Sequence, residues 1–359
     1  VLDRLQKQAK GGYAVITQEE TVPAKPYTVI RAQKPMADEK GKVSKDLLAL
    51  IRNHQGYKQM VVVNRVELAK DLARTIKKKF RNANVICYHS QFCRQDRTEK
   101  ERLIKILFSP KDDRTEEQRE LLCSWDLADT EEVILVSTQV CELSLDISAD
   151  IMYSQIAPVD SIIQRGGRLH RKGITPHRTN CGCPGCRRRQ YLKEKHQYIL
   201  YLFPLDWDDE KSFFPYGLPE QRQWTLDSWD VIQGDYSFAK AMEWVDSVFT
   251  EAPLLYDLEM KSMMLEDVVF GRTPAERYGD EDAESSGSFK VRDIQQATVT
   301  VIPACFEHEA KQDEKDAYSN LGVKVAPWLF RKYGRKDEKL WFLELPYTRE
   351  FGFQFERRK

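Results

Sequence analysis

Five short runs of consecutive apolar residues, separated by stretches of helical period, limit what this chain can fold into. They are Met60–Val63, Val85–Tyr88, Val133–Val136, Ile151–Tyr153 and Tyr198–Leu202. A run of this kind, without polar alternation, marks a strand buried on both faces. Between the runs, Val66, Ala69, Leu72, Ala73, Ile76 and Phe80 recur at the spacing of one helix face. Ser44 is placed to N-cap a helix carrying Leu47, Leu48, Leu50 and Ile51. Arg94 to Leu107 reads as a further helix, and Ile162-Ile163 lies in a short one. Residues 109–131 are polar and acidic, an inserted loop or short helix. Strands alternating with helices predict an α/β domain: a parallel sheet with helices on both faces. Right-handed crossovers then gather the loops that follow the strands along one edge, where function is expected.

The chain has 359 residues. That exceeds one ordinary domain and suggests two. Residues 44–205 are expected to form the α/β domain, 1–43 a linker or the tail of a preceding domain, and 206–359 a smaller α+β accessory domain. Within 1–43, Tyr27–Ile30 reads as a short extended piece. In the last part, Tyr236–Phe249 reads as a helix, and Ala297–Ile302 and Trp341–Leu345 as strands. Zero net charge hides an asymmetry. Ser161–Leu200 carries ten Lys/Arg and one acid, whereas Tyr201–Ser285 carries six Lys/Arg and twenty Asp/Glu. The basic stretch is the candidate nucleic-acid surface. No run approaches the ~18 apolar residues a membrane helix needs, so no membrane partner is expected. The chain begins Val1-Leu2-Asp3 without a signal segment, which predicts a piece of a longer polypeptide in the cytoplasm. Eight cysteines in this length are too few for a disulfide scaffold and are expected as thiols.

The densest chemistry lies in Gln164-Arg165-Gly166-Gly167-Arg168-Leu169-His170-Arg171. Arg168 and Arg171 are three apart, so on a helix they project from one face. Guanidinium groups placed this way grip phosphate oxygens and stabilise a phosphoryl group in transfer. Upstream, the strand ending at Val136 is followed by Ser137-Thr138-Gln139, small polar donors that suit a nucleic-acid backbone without reading bases.

These segments resemble motifs of superfamily 2 helicases. Gln164–Arg171 is similar to motif VI, and Val136–Ile147 to motif V. Asn64-Arg65-Val66 resembles motif IV. The run STQVxExSLDI, then Ala149-Asp150, Ala157-Pro158-Val159-Asp160 and QRxGRLHR, is similar to the CRISPR-associated helicase–nuclease family of type I interference. His89-Ser90-Gln91-Phe92 resembles that family's HSRF-type motif, with Gln91 where a basic residue is more usual. The motifs span about residues 60–175. Weaker similarity continues through Tyr236–Phe249 and Val291–Pro303.

The resemblance implies a second RecA-like domain that binds ATP with Mg2+ against a first such domain. It implies Gln164, Arg168 and Arg171 as catalytic groups, and Asp146, Arg165 and Gly167 at the nucleotide. It implies Asn64, His89, Ser90, Thr138 and Gln139 along single-stranded DNA. No G-x-x-x-x-G-K-[ST] loop and no DExH box occurs in the sequence. Both are therefore expected outside this chain, as is the nuclease. The implied partners are single-stranded DNA, the RNA-guided CRISPR surveillance complex and that nuclease domain or subunit. Two other readings stay open: a superfamily 2 RNA or DNA-repair helicase, and a binding module of this fold without ATPase function. His177, Cys181, Cys183 and Cys186 also stay open between a Cys3His structural Zn2+ site and a loop of reduced thiols, because the spacing is irregular.

Overall fold

The apolar runs become the centre of a seven-stranded sheet. The computed structural model describes residues 27–39, 41–170, 198–249, 298–337 and 339–355. Strands β1 (Thr28–Arg31), β2 (Lys58–Val62), β3 (Asn84–Tyr88), β4 (Val133–Ser137), β5 (Ile151–Gln155), β6 (Ile199–Phe203) and β7 (Gly234–Asp235) assemble in the order β3-β4-β2-β5-β6-β1-β7. All neighbouring pairs are parallel except β1–β7. Every residue of β2, β3, β4 and β5 is buried, which is why those runs carry no alternation. Val62 pairs with Ser137 on one side and Ser154 on the other, so the ends of β2, β4 and β5 lie level.

Helices α1 (Lys45–Asn53), α2 (Val66–Lys79), α3 (Arg94–Phe108), α4 (Glu116–Ser124), α5 (Val140–Ser144) and α6 (Val159–Gly166) connect and flank the strands. Ser44 Oγ accepts from the Leu47 amide at 3.1 Å and starts α1. The polar stretch 109–131 holds α4, opened by a capping box between Thr115 and Gln118. Leu68, Ala69, Leu72, Ala73 and Ile76 of α2 pack with Val61, Val85, Ile134 and Val136 of the strands in one core.

Beyond β6, α7 (Pro219–Val231) and α8 (Phe238–Val248) flank the short β7. A second sheet follows, in the order β10-β11-β8-β9. Its strands are β8 (Val299–Pro303), β9 (Val323–Val325), β10 (Gly334–Asp337) and β11 (Leu340–Leu343). Helices α9 (Glu307–Gln312), α10 (Ala317–Leu321) and α11 (Pro327–Tyr333) surround it. The chain then makes a small hairpin of β12 (Tyr347–Thr348) and β13 (Gly352–Phe353). These elements belong to one compact unit, Pro23–Val248 with Thr298–Lys359. Among the described residues, no helix is long and apolar enough to cross a membrane.

Candidate nucleotide and nucleic-acid site

The loops that follow β2 and β4 meet at the level ends of those strands. Asn64, just past β2, is buried, and each of its polar groups is engaged. Its amide N donates to Gln155 Oε1 at 2.9 Å, Nδ2 donates to the Ile156 carbonyl at 2.8 Å, and its carbonyl accepts from Gln139 Nε2 at 3.0 Å. Thr138 is buried beside it, and its carbonyl accepts from the Cys141 amide at 3.2 Å. Gln139 is half-buried and precedes α5; Asp146 is exposed shortly after it. Burial pushes the Cys141 thiol up to about 12, so it stays protonated among these groups.

Helix α6 brings the arginines to this edge. It ends at Gly166, so Arg168 lies in the turn after the helix and not on its face. Turn bonds from Arg168 N to Arg165 O at 2.8 Å and from Leu169 N to Gly166 O at 2.9 Å close that turn. A bridge between Ala149 and Leu169 then draws the chain away from the helix axis. Arg168 itself therefore does not lie on a helix face. Arg171 itself lies outside the described residues, as do His177, Cys181, Cys183 and Cys186.

Arg168 is largely buried. Its Nη2 donates to the Glu142 carbonyl. Its Nε is buried with no acceptor among the described residues. A guanidinium anchored at one nitrogen, with an N–H unspent and two exposed neighbours, Gln164 and Gly167, is a donor set that fits a phosphate oxygen. No group of His, Cys, Asp and Glu among the described residues is arranged to hold a metal ion, so none of them is assigned to Mg2+.

Arg165 occupies a different position from its neighbours in sequence. It is fully buried. Its Nε donates to Glu142 Oε1 at 2.8 Å, and Nη1 to Ser154 Oγ at 3.0 Å and the Gln155 carbonyl at 2.9 Å. Nη2 donates to Asn64 Oδ1 at 3.0 Å and Tyr216 Oη at 3.2 Å. Burial acts to lower its pKa, but Tyr216 and Glu142 outweigh burial and the guanidinium is held charged. Glu142 and Tyr216 are neighbours of Arg165 that no motif spacing singles out. Glu142 is quoted within motif V, and only the fold turns it toward Arg165. Tyr216 belongs to no motif.

His89 and Ser90 follow β3 and diverge. Ser90 is exposed, while His89 is fully buried. Nδ1 of His89 accepts from the Gln91 amide at 3.1 Å, which assigns the proton to Nε2, facing the Phe351 carbonyl at 3.2 Å. The ring stacks on Phe92 at 4.3 Å. Burial, then the charges of Lys70 and Lys100, hold its pKa well below the usual imidazole value. The residues thus form two groups: Asn64, Thr138, Gln139, Gln164, Arg165, Gly167 and Arg168 around the ends of β2, β4 and β5, and His89 with Ser90 at the β3–α3 connection.

Residues 55–174 match the family described as CRISPR-associated nuclease/helicase Cas3, C-terminal. A putative CRISPR-associated nuclease/helicase Cas3 of Methanocaldococcus jannaschii is 26% identical over 376 residues, covering 97% of this chain and 45% of that protein. The chain is similar to CRISPR-associated nuclease/helicases of the Cas3 family, most directly over residues 55–174. It spans about half the length of that archaeal relative. The crystal structure of T. fusca Cas3 with AMPPNP superposes with a TM-score of 0.60 at 19% identity, covering 94% of this chain and 43% of that one. A chain of a pre-nicking CRISPR RNA-guided surveillance complex superposes with a TM-score of 0.53 at 19% identity, again over 94% of this chain and 43% of that one. This chain, with its mostly parallel sheet flanked by helices and its smaller second sheet, therefore shares the fold of those structures over most of its length.

Proposed function

We propose that this chain is the second RecA-like motor domain and C-terminal region of an ATP-dependent single-stranded DNA translocase acting in type I CRISPR interference. The observation that carries the reading is the placement of Arg168. A guanidinium with a buried, unspent Nε–H sits where the turn after α6 meets α5, just past β4. The nucleotide would lie between this surface and a first RecA-like domain outside the chain. That domain would supply the phosphate loop and the acidic group for Mg2+, for which the sequence here has no candidate. ATP supplies the phosphoryl-transfer energy. Arg168 and Arg171 stabilise the charge that builds up on the γ-phosphate, and Gln164, Gly167 and Asp146 line the same cleft. Gln139 and exposed Ser90 offer donors to a DNA backbone without reading its bases, as a translocase requires. The relatives' names include nuclease and helicase, and one structural neighbour sits in an RNA-guided surveillance complex. By that likeness the partners are single-stranded DNA, such a complex and a nuclease outside this chain, in the cytoplasm.

The test is ATP hydrolysis by the complete helicase polypeptide, with single-stranded DNA, single-stranded RNA or neither, beside Arg168→Ala. Loss of one charge-stabilising donor is expected to lower the DNA-stimulated rate about 10²-fold or more. Stimulation by RNA alone would replace the DNA reading with that of an RNA helicase. An unchanged rate in the variant would remove Arg168 from the mechanism.

A further inference from the structure

Arg165 stands in the middle of motif VI, yet it is fully buried. All five of its N–H groups are spent inside the protein, on Glu142, Ser154, Gln155, Asn64 and Tyr216. A guanidinium in that state can bind a phosphate only by giving up a buried hydrogen bond, which costs more than an exposed contact returns. Its partners come from separate parts of the chain. Asn64 follows β2, and its carbonyl holds Gln139, which follows β4. Glu142 lies on α5; its carboxylate takes Arg165 Nε while its backbone carbonyl takes Arg168 Nη2. Ser154 and Gln155 end β5. An unbroken chain of hydrogen bonds therefore runs from Gln139 through Asn64, Arg165 and Glu142 to Arg168.

Tyr216 closes this chain from outside. Its Oη accepts from Arg165 Nη2 at 3.2 Å and donates to Ser161 Oγ at 3.3 Å, one turn earlier on α6. Buried Phe213, just upstream, anchors the segment that delivers it, and Ser212 Oγ ties that segment to the Asp206 carbonyl at 2.5 Å. A shift of the Asn64–Gln139 loops would be felt by a planar fork that tolerates little rotation. The fork lies one helical turn before Arg168.

We infer that Arg165 is a positioning residue coupling the nucleic-acid loops to Arg168, and that Tyr216, which belongs to no helicase motif, holds it in register on α6. This inference rests on the motor reading above. Arg165 touches neither ATP nor DNA; it transmits the position of one group to the other.

The experiment uses the complete helicase polypeptide and compares wild type, Tyr216→Phe, Arg165→Lys and the double variant. ATP hydrolysis is read with and without an oligothymidine strand, together with the KM for ATP and thermal unfolding. Tyr216→Phe keeps the ring and removes the hydroxyl. Its expected result is a DNA-free rate and ATP KM equal to wild type, with DNA-stimulated kcat lowered about three- to tenfold, the effect of one lost hydrogen bond. In the Arg165→Lys background, Tyr216→Phe is expected to add nothing, because the fork it holds is gone. A Tyr216→Phe variant with wild-type stimulation overturns the coupling role and leaves the motor reading intact. Equal loss of both rates with a lowered Tm makes Tyr216 a stability residue only, and the inference fails. Wild type without DNA-stimulated turnover fails the motor reading itself and the inference with it.

Discussion

Gly166 has no room for a side chain. A Cβ built there would lie 2.0 Å from Tyr27 Oη and 2.6 Å from Tyr27 Cζ. Tyr27 cannot step aside, because its ring stacks on Tyr236 at 4.3 Å with planes 9° apart. The neighbouring Gly167 is exposed, and the nearest atom to its Cβ would be Gln164 O at 3.3 Å. Gly166→Ala is therefore expected to destabilise the fold by about 1–3 kcal/mol, the cost of overpacking a core, and Gly167→Ala by about 1 kcal/mol or less. Denaturant midpoints of the two variants measure this, and equal costs would show that the Tyr27 contact does not constrain α6. The sequence assigns Gly167 a place at the nucleotide by resemblance and gives no sign that Gly166 is the tightly packed one. Only the pairing of β1 with β6, which carries Tyr27 to α6, tells them apart. Arg165 and Arg168 teach the same lesson. The resemblance implies a place at the ATP site for both, and the fold spends one entirely inward while leaving the other an unspent N–H.

At the scale of elements, the β12–β13 hairpin is held on α2, α3 and the β3–α3 connection by captured carbonyls. Buried Lys70 donates to the Phe353 carbonyl at 2.7 Å, and buried Lys100 to the Glu350 carbonyl at 3.0 Å. Tyr347 Oη donates to Asp96 Oδ2 at 2.6 Å and accepts from the Cys93 amide at 3.1 Å. Gly352, at φ +68°, lets the hairpin backbone press on the Gln91 carbonyl and the His89 ring, where a Cβ would come within 2.6 Å and 3.1 Å. His89 beneath it is buried and neutral. The unfolded chain binds a proton there at about pH 6.5 and below, whereas the folded one does so only at much lower pH. The unfolded state thus holds more protons below that point, so stability is complete above about pH 6.5 and falls as pH drops. The loss of unfolding free energy between about pH 7.5 and pH 5.5 is expected to be larger in wild type than in His89→Gln. Identical losses in the two proteins would refute this assignment. Part of this arrangement is legible in sequence: β3, α3 and the His-Ser pair are placed by their periodicity and motif. The cover over His89 is not, because hairpin and histidine meet only through long-range packing.

For the whole molecule, the proposed motor surface is one side of a cleft. The proposal gives this side the guanidinium of Arg168, while the 359-residue sequence has no Gly-rich phosphate loop. Expressed by itself it is expected to hydrolyse ATP no faster than background, with or without single-stranded DNA, while the complete polypeptide turns over. A malachite-green phosphate assay on both decides it. Turnover by the isolated chain would mean that the phosphate site is built from residues in hand. Acidic and basic stretches are likewise unevenly spread, with the excess of acids beginning just after β6 and the arginines concentrated before it. An association driven by the basic side is expected to weaken with salt.

The sequence alone determined the layered α/β class, the sites of β2 to β6, the helices between them and the family motifs. It did so because buried parallel strands need unbroken apolar runs, and helices packed on them need one apolar face. What it left undecided is where each polar side chain of a motif is directed. Glu142, Asn64, Ser154 and Tyr216 converge on Arg165 from four places in the chain, and nothing in local spacing encodes that convergence. Strand order puts β2 between β4 and β5, and register levels their ends. A buried guanidinium then has to satisfy five donors at once, and only the assembled tertiary structure supplies the acceptors.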